Sequence, residues 1–224
     1  MLAIPQKKAE TVPRCFLSEA EMQALIATPD RSTWSGRRDH ALLMVALRTG
    51  LRLSELTGLR CQDVELRRPA HIKCLGKGRK RRDTPIDKPT VAVLRSWLEE
   101  QRGRPDDPLF PSRRGARLSP DAVQRLVAKH VSRTLETCPT LANKSVSTHN
   151  LRHSCAMDWL RHGADAAVVA LLLGHEKLES VKPYIHADPT LKQRAVDRMT
   201  PLNPDARRGR YKPADDLLAF LDGL

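Results

Sequence analysis

The chain has 224 residues, enough for one sizeable domain with a hydrophobic core but too few for two full domains. Its 39 lysines and arginines outnumber its 26 acidic residues, and the formal charge of +13 favours a polyanionic partner over mere solubility. Five cysteines without a C-x-x-C pair argue against a disulfide framework, and the apolar runs are too short for a signal peptide or a membrane span, so we expect a cytoplasmic protein without membrane association.

Two helices are predicted first along the chain. Residues 18–21 (SEAE) form a capping box, which predicts a helix start there, and residues 1–16 are predicted to be a leader. The stretch RRDHALLMVALRTG then repeats apolar residues at helical spacing. Gly50 is placed to end this second helix, and Arg52 follows directly.

The pattern changes between Asp63 and Ile86. Short runs, AHIKCL and RRDTPI, flank the basic glycine-rich segment GKGRK at 76–80, which predicts a small antiparallel hairpin. Helical spacing returns from Lys88 to near Gly103, and Ser119-Pro120 predicts another helix start. Further helices are predicted over Thr148–His162, Asp165–Leu173 and about Leu191–Met199, followed by a short apolar stripe at Leu217, Leu218, Leu221 and Leu224.

These elements predict a mainly α fold with one small antiparallel β-sheet. We expect one domain over 17–200 and a C-terminal tail, 201–224, that contains a short docking helix. No internal repeat or low-complexity tract interrupts this plan.

Five short motifs follow one another in a fixed order. They are TGLRLSEL around Arg52, GKGRK around Lys77, THNLRH with His149 and Arg152, LLGH with His175, and finally Tyr184. Arg152 and His175 are 23 residues apart, and Tyr184 follows nine residues later. This order and spacing resemble the tyrosine recombinase (phage integrase) family over about residues 17–200. Each motif alone is a weak signal, but the combination is specific.

The resemblance implies a DNA breaking-rejoining catalytic fold and a site-specific recombinase that cleaves and rejoins duplex DNA through a 3′-phosphotyrosyl intermediate. Tyr184 would be the nucleophile and Lys77 the general acid for the leaving 5′-oxygen. His149 would take or share the tyrosine proton, and His175 would hydrogen-bond the scissile phosphate. Glu55 resembles the family's acidic supporting residue.

Chemistry explains why these residue types are needed together. At neutral pH only about one tyrosine in a thousand is phenolate, so the nucleophile needs help. Attack adds negative charge to anionic phosphate oxygens, and guanidinium groups can hold those oxygens in a bidentate way. Arg52 and Arg152 are the candidates for this task, although Arg52 could instead be a residue favoured by a helix C-terminus. We expect further phosphate contacts from the basic run at Arg79, Lys80, Arg81 and Arg82.

The resemblance also implies which partners the protein binds and that the reaction uses no cofactor or metal. Because the covalent link conserves the phosphodiester energy, the reaction would need neither a cofactor nor a metal. Duplex DNA would be the partner, bound by a homotetramer that is monomeric off DNA, in the integration, excision or resolution of a mobile element. Family members carry an N-terminal clamp domain, whereas only about 17 residues precede the core here, so we expect a truncated or catalytic-domain-only form, or a separate clamp partner.

Alternatives stay open at this point. Pro183 departs from the family's Thr-Thr-x-x-Tyr pattern. The chain could be a truncated, catalytically weak DNA-binding remnant or regulator, or a topoisomerase-like enzyme with the same nucleophile. A zinc site built from His149, His153, Cys138 and Cys155 is a further hypothesis, although the ligand spacing does not favour it.

Overall fold

The computed structural model of the chain describes residues 16–76 and 81–174. In this part the helices are α1 (Glu19–Ala27), α2 (Trp34–Thr49), α3 (Leu53–Gly58), α4 (Lys88–Gln101), α5 (Pro120–Thr134), α6 (Thr148–Arg161) and α7 (Ala166–Leu173). The strands are β1 (Val64–Glu65), β2 (His71–Leu75) and β3 (Arg81–Pro85), and short 3₁₀ turns occupy Cys61–Asp63 and Pro139–Asn143. The prediction of a mainly α fold with a small antiparallel sheet is confirmed.

The residues predicted to begin and end helices do so. The Ser18 side chain accepts from the Glu21 N–H while Glu21 accepts from the Ser18 N–H, which completes the capping box of α1. Ser119 and Asp165 cap α5 and α7 through their side-chain oxygens. Gly50 ends α2 in the left-handed conformation, at φ +58°.

The three strands form one antiparallel sheet in the order β1-β2-β3. The β2 and β3 pairing runs from His71 opposite Pro85 to Leu75 opposite Arg81, as expected for the predicted hairpin. The turn that would connect these strands, residues 77–80, lies outside the described residues. Strand β1 was not predicted, since two residues are too few to show an alternating pattern.

Helix α2 is the centre of the core. It packs against α1, α4 and α6, and Leu42, Leu43 and Val45 on it are almost fully buried. A second buried cluster joins α6 to α7 through Met157, Leu173 and neighbouring side chains. The C-terminal ends of α2 and α7 lie against each other, since a Cβ at Gly50 would be 2.6 Å from Leu173 Cδ2.

All described residues belong to one compact unit, residues 1–191. A second unit, Lys192–Leu224, lies outside the described residues, as do the predicted helix at about 191–199 and the apolar stripe. The predicted boundaries at 17, 200 and 201 thus stay predictions. Within the described ranges, no helix is long and apolar enough to cross a membrane.

Candidate active site

Arg52 lies at the start of α3, directly after the turn that ends α2. Its guanidinium donates to Glu55 (Nη1–Oε1 3.0 Å) and to the carbonyl of Gly174 (Nη2–O 3.0 Å). Gly174 is the C-terminal cap of α7. Arg52 therefore interacts with the C-terminus of α7 and not with that of α2, the helix that precedes it in the chain. With 35% of its side chain exposed, Arg52 lies at the boundary between core and solvent.

Arg152 projects from α6 toward the same helix end. Its guanidinium donates to the carbonyl of Leu173 (Nη2–O 2.7 Å) and to the carbonyl of Gly50 (Nη1–O 2.6 Å). Both acceptors lie at helix C-termini, where a cation is favoured. The structure therefore brings Arg52 and Arg152, which are 100 positions apart in the chain, to consecutive carbonyls of Leu173 and Gly174.

Glu55 is buried between two arginines. Besides Arg52, it accepts a bidentate pair from Arg82 on β3, with Nη1–Oε1 2.8 Å and Nη2–Oε2 2.9 Å. The backbone N–H of Arg52 also donates to it at 2.7 Å. Burial would raise the pKa of Glu55, but the hydrogen bonds from Arg82 and the Arg52 backbone, together with both cationic charges, outweigh burial and lower that pKa. Glu55 therefore stays ionised.

His149 lies in the first turn of α6, three residues before Arg152, and is exposed. Its Nε2 lies 2.6 Å from the Nε2 of His153, one helical turn further on, and the rings meet edge to face. Since a hydrogen bond needs one donor and one acceptor, the two Nε2 atoms cannot both carry a proton in this arrangement. His153 is thus a direct neighbour of the predicted proton acceptor.

The remaining predicted site residues are placed differently or lie outside the described ranges. Arg81 is exposed at the start of β3. Arg82 was predicted to contact DNA phosphates, but its guanidinium is turned inward onto Glu55. The residues outside the described ranges are Lys77, Arg79, Lys80, His175 and Tyr184.

The zinc hypothesis gains no support from the described part of the chain. In residues 16–76 and 81–174, no three His, Cys, Asp or Glu side chains are grouped to hold a metal ion. Complete burial raises the pKa of Cys155 well above its ordinary value, so in the absence of a cation this side chain is a thiol. The sulfur of Cys138 instead lies 3.3 Å from the hydroxyl of Thr140.

Residues 15–190 match the profile of the phage integrase family. The chain belongs to the phage integrase family. Among curated relatives, y4rC of Sinorhizobium fredii, whose name places it with integrases and recombinases, is 48% identical over 100% of this chain and 67% of its own length. The tyrosine recombinase XerD of Pseudomonas aeruginosa is 38% identical over 76% of this chain and 56% of its own length. This member of the phage integrase family thus spans little more than half of XerD.

Solved structures agree with the family assignment. The crystal structure of XerA recombinase is 26% identical, with a TM-score of 0.70, over 88% of this chain and 68% of that one. The XerH site-specific recombinase bound to palindromic difH substrate, in a post-cleavage complex, is 25% identical, with a TM-score of 0.70, over 86% of this chain and 55% of that one. The fold is therefore that of tyrosine recombinase catalytic domains, as the motifs predicted.

The charge pattern of the sequence does not reveal the structural role of Arg82. The residue stands within the basic run GKGRKRR, which predicts a phosphate contact for it as for its neighbours. The signal that could have separated it is the two-residue period of a strand. Arg82 and the buried Thr84 share one face of β3, whereas Arg81 and Asp83 share the other, exposed face.

Proposed function

We propose that this chain is the catalytic domain of a site-specific tyrosine recombinase that cuts and rejoins duplex DNA through a 3′-phosphotyrosyl link at Tyr184. The observation that supports this most is the convergence of Arg52 and Arg152 on the end of α7. His175 is the next residue in the chain after Gly174. Two guanidinium groups and a histidine of the predicted catalytic set are thereby tied to one short segment.

The proposed reaction is an in-line exchange of phosphate bonds. The Tyr184 hydroxyl oxygen forms a bond to phosphorus while the bond from phosphorus to the 5′-oxygen breaks. His149 takes the tyrosine proton, and Lys77 gives a proton to the leaving 5′-oxygen. Arg52, Arg152 and His175 stabilise the charge that builds on the non-bridging oxygens. Reversal with a different 5′-hydroxyl rejoins the strand, so no cofactor, ATP or metal takes part.

The wider role follows from this chemistry. A recombinase of this kind would integrate, excise or resolve a mobile element by exchanging strands between two DNA sites. We propose a homotetramer on DNA that is monomeric in solution, with a separate N-terminal clamp as a further partner. We propose that the reaction takes place in the cytoplasm, in keeping with five cysteines that include no C-x-x-C pair. The charge of +13 supports binding to duplex DNA.

Covalent trapping tests the proposal. Nicked suicide DNA duplexes of random sequence are incubated with the wild-type chain, with Tyr184→Phe, and with Tyr211→Phe as the matched control, since these are the two tyrosines of the sequence. We expect a protein–DNA band on a denaturing gel that Tyr184→Phe abolishes and Tyr211→Phe retains. A two-site assay then distinguishes strand exchange from the supercoil relaxation of a topoisomerase-like enzyme. Salt-sensitive DNA binding without trapping, even with a supplied clamp domain, would instead identify a catalytically weak DNA-binding remnant.

A further inference from the structure

Arg82 is a buried cation with a fixed partner. Its side chain is 13% exposed, and that of Glu55 is 2% exposed, while their two hydrogen bonds measure 2.8 and 2.9 Å. A charge withdrawn from water to this degree is stable only when it is paired and hydrogen-bonded. The guanidinium of Arg82 is therefore committed to the protein interior rather than to a DNA phosphate.

Through Glu55, Arg82 is joined to Arg52. The two oxygens of Glu55 together accept from the Arg82 guanidinium, the Arg52 guanidinium and the Arg52 backbone N–H. A carboxylate offers about four acceptor positions, so this one is fully used. One buried side chain thus links the start of β3 to the start of α3.

Arg82 also contacts the end of α7. Gly174 has a left-handed backbone (φ +65°), and a Cβ atom there would lie 2.6 Å from Nη1 and 3.2 Å from Cζ of Arg82. The absence of a side chain at Gly174 is what lets the guanidinium approach so closely. The carbonyl of the same glycine accepts from Arg52. Three segments of the predicted active site therefore meet at Arg82.

The position of Arg82 in the β2–β3 ladder matters for the general acid. Arg82 pairs with Cys74, one pair before the turn end of the ladder, which is Leu75 opposite Arg81. Lys77, the proposed general acid, belongs to the segment that connects these two strands. By binding Glu55, Arg82 fixes the turn end of the ladder, and with it the points at which the chain leaves β2 and enters β3, relative to Arg52.

We propose that Arg82 is a positioning residue: by holding the turn end of the β2–β3 ladder against Glu55 and Gly174, it sets the reach of Lys77 to the leaving 5′-oxygen. This inference rests on the proposed function, in which Lys77 protonates that oxygen. Arg82 acts through Lys77 and does not itself touch the DNA.

The test uses a leaving group that needs no general acid. Suicide duplexes are made with either oxygen or sulfur at the 5′-bridging position of the scissile phosphate. Because a thiol is far more acidic than an alcohol, a thiolate leaves without receiving a proton. We expect Arg82→Gln to slow cleavage of the oxygen duplex by about 10- to 1000-fold, within the range of general-acid effects. We expect the sulfur duplex to recover most of this loss.

Three further variants are measured for comparison. Lys77→Ala should show the same pattern, slow on oxygen and restored on sulfur. Arg37→Gln is the matched control, because Arg37 also forms a bidentate pair with a glutamate, Glu100, but on the surface. It should cleave both duplexes like the wild type. Arg82→Lys keeps the charge and is measured alongside, so that the test holds if Arg82→Gln does not fold.

The results distinguish failure of the proposed function from failure of the positioning role of Arg82. If wild-type protein cleaves neither duplex, the proposed function is wrong. If Lys77→Ala is restored by sulfur but folded Arg82→Gln or Arg82→Lys is slowed equally on both duplexes, the function stands and the positioning role is overturned. Wild-type rates for both Arg82 variants on the oxygen duplex would overturn it as well.

Discussion

Among single residues, Glu55 shows how one buried charge can organise several others. It was predicted only as a supporting acid, on a resemblance. In the structure it neutralises Arg82 and holds the backbone and side chain of Arg52. Since an isolated carboxylate could not remain ionised at this depth, the two arginines and the glutamate depend on one another.

Replacing Glu55 with glutamine should therefore destabilise the protein in a pH-dependent way. The pKa of Glu55 is lowered below its ordinary value of 4.5, so its contribution to stability is present above that pH and is lost as pH falls through the folded-state pKa. We expect Glu55→Gln to lower the free energy of unfolding by about 3 kcal/mol at pH 7, because the buried Arg82 and the partly exposed Arg52 lose their anionic partner. The difference from wild type should shrink below pH 4.5. Urea unfolding at several pH values measures both.

Glu100→Gln is the control for this experiment. Glu100 pairs with Arg37 at 2.7 Å, but both side chains are substantially exposed. Its loss should cost no more than about 1 kcal/mol at any pH, as for other surface pairs. Equal losses for the two variants at pH 7 would contradict the structural role given to Glu55.

At the level of elements, the junction of α2 and α7 determines the geometry of the site. Arg152 donates to the carbonyl of Gly50 at the end of α2 and to that of Leu173 at the end of α7. Gly50 itself lies against Leu173, since a Cβ at residue 50 would lie 2.6 Å from Leu173 Cδ2. Close approach of the two helix ends is thus a condition for the hydrogen bonds of Arg152.

Gly50→Ala should separate these helix ends, and Gly115→Ala offers a matched control. Both glycines have positive φ, +58° and +79°, so an alanine pays a similar backbone cost of about 1–2 kcal/mol at each. Nothing lies within 4 Å of a Cβ at Gly115, whereas at Gly50 the added atom meets Leu173. Overpacking should add about 1–3 kcal/mol to the loss at Gly50 alone. Equal shifts of the thermal midpoint for both variants would show that the helix ends are not tightly packed.

The elements that could be predicted are those with a strong local signal. The capping box at Ser18 and the terminating Gly50 mark helix ends through their own backbone chemistry, so the sequence reveals them. Helix α3 was not predicted, because its six residues, which follow the N-cap Arg52, offer neither periodicity nor a usual cap. The inward direction of Arg82 and the contact between His149 and His153 depend on tertiary packing. The motifs therefore predict a set of site residues but not the hydrogen bonds that the described members of the set make.

For the molecule as a whole, the excess of positive charge has to be divided between DNA contacts and internal pairs. The formal charge of +13 counts every arginine alike. The structure separates them, because Arg82 is turned inward and paired while Arg81, its neighbour on β3, is exposed. Only cations that reach phosphates release counterions from DNA. The salt dependence of DNA binding can therefore distinguish exposed arginines from arginines that are paired inside the protein.

We expect Arg81→Gln to reduce the slope of log Kd against log salt concentration by about 0.9, the value for one lost phosphate contact on duplex DNA. Arg82→Gln, which removes the same charge from a side chain already bound to Glu55, should change the slope by much less. Arg37→Gln, whose arginine is paired with Glu100, should leave it unchanged. The slopes are measured by fluorescence anisotropy with a random-sequence duplex, at salt concentrations from about 50 to about 300 mM. Equal slope changes for all three variants would mean that net charge alone, rather than the orientation of individual arginines on β3, determines how this domain binds DNA.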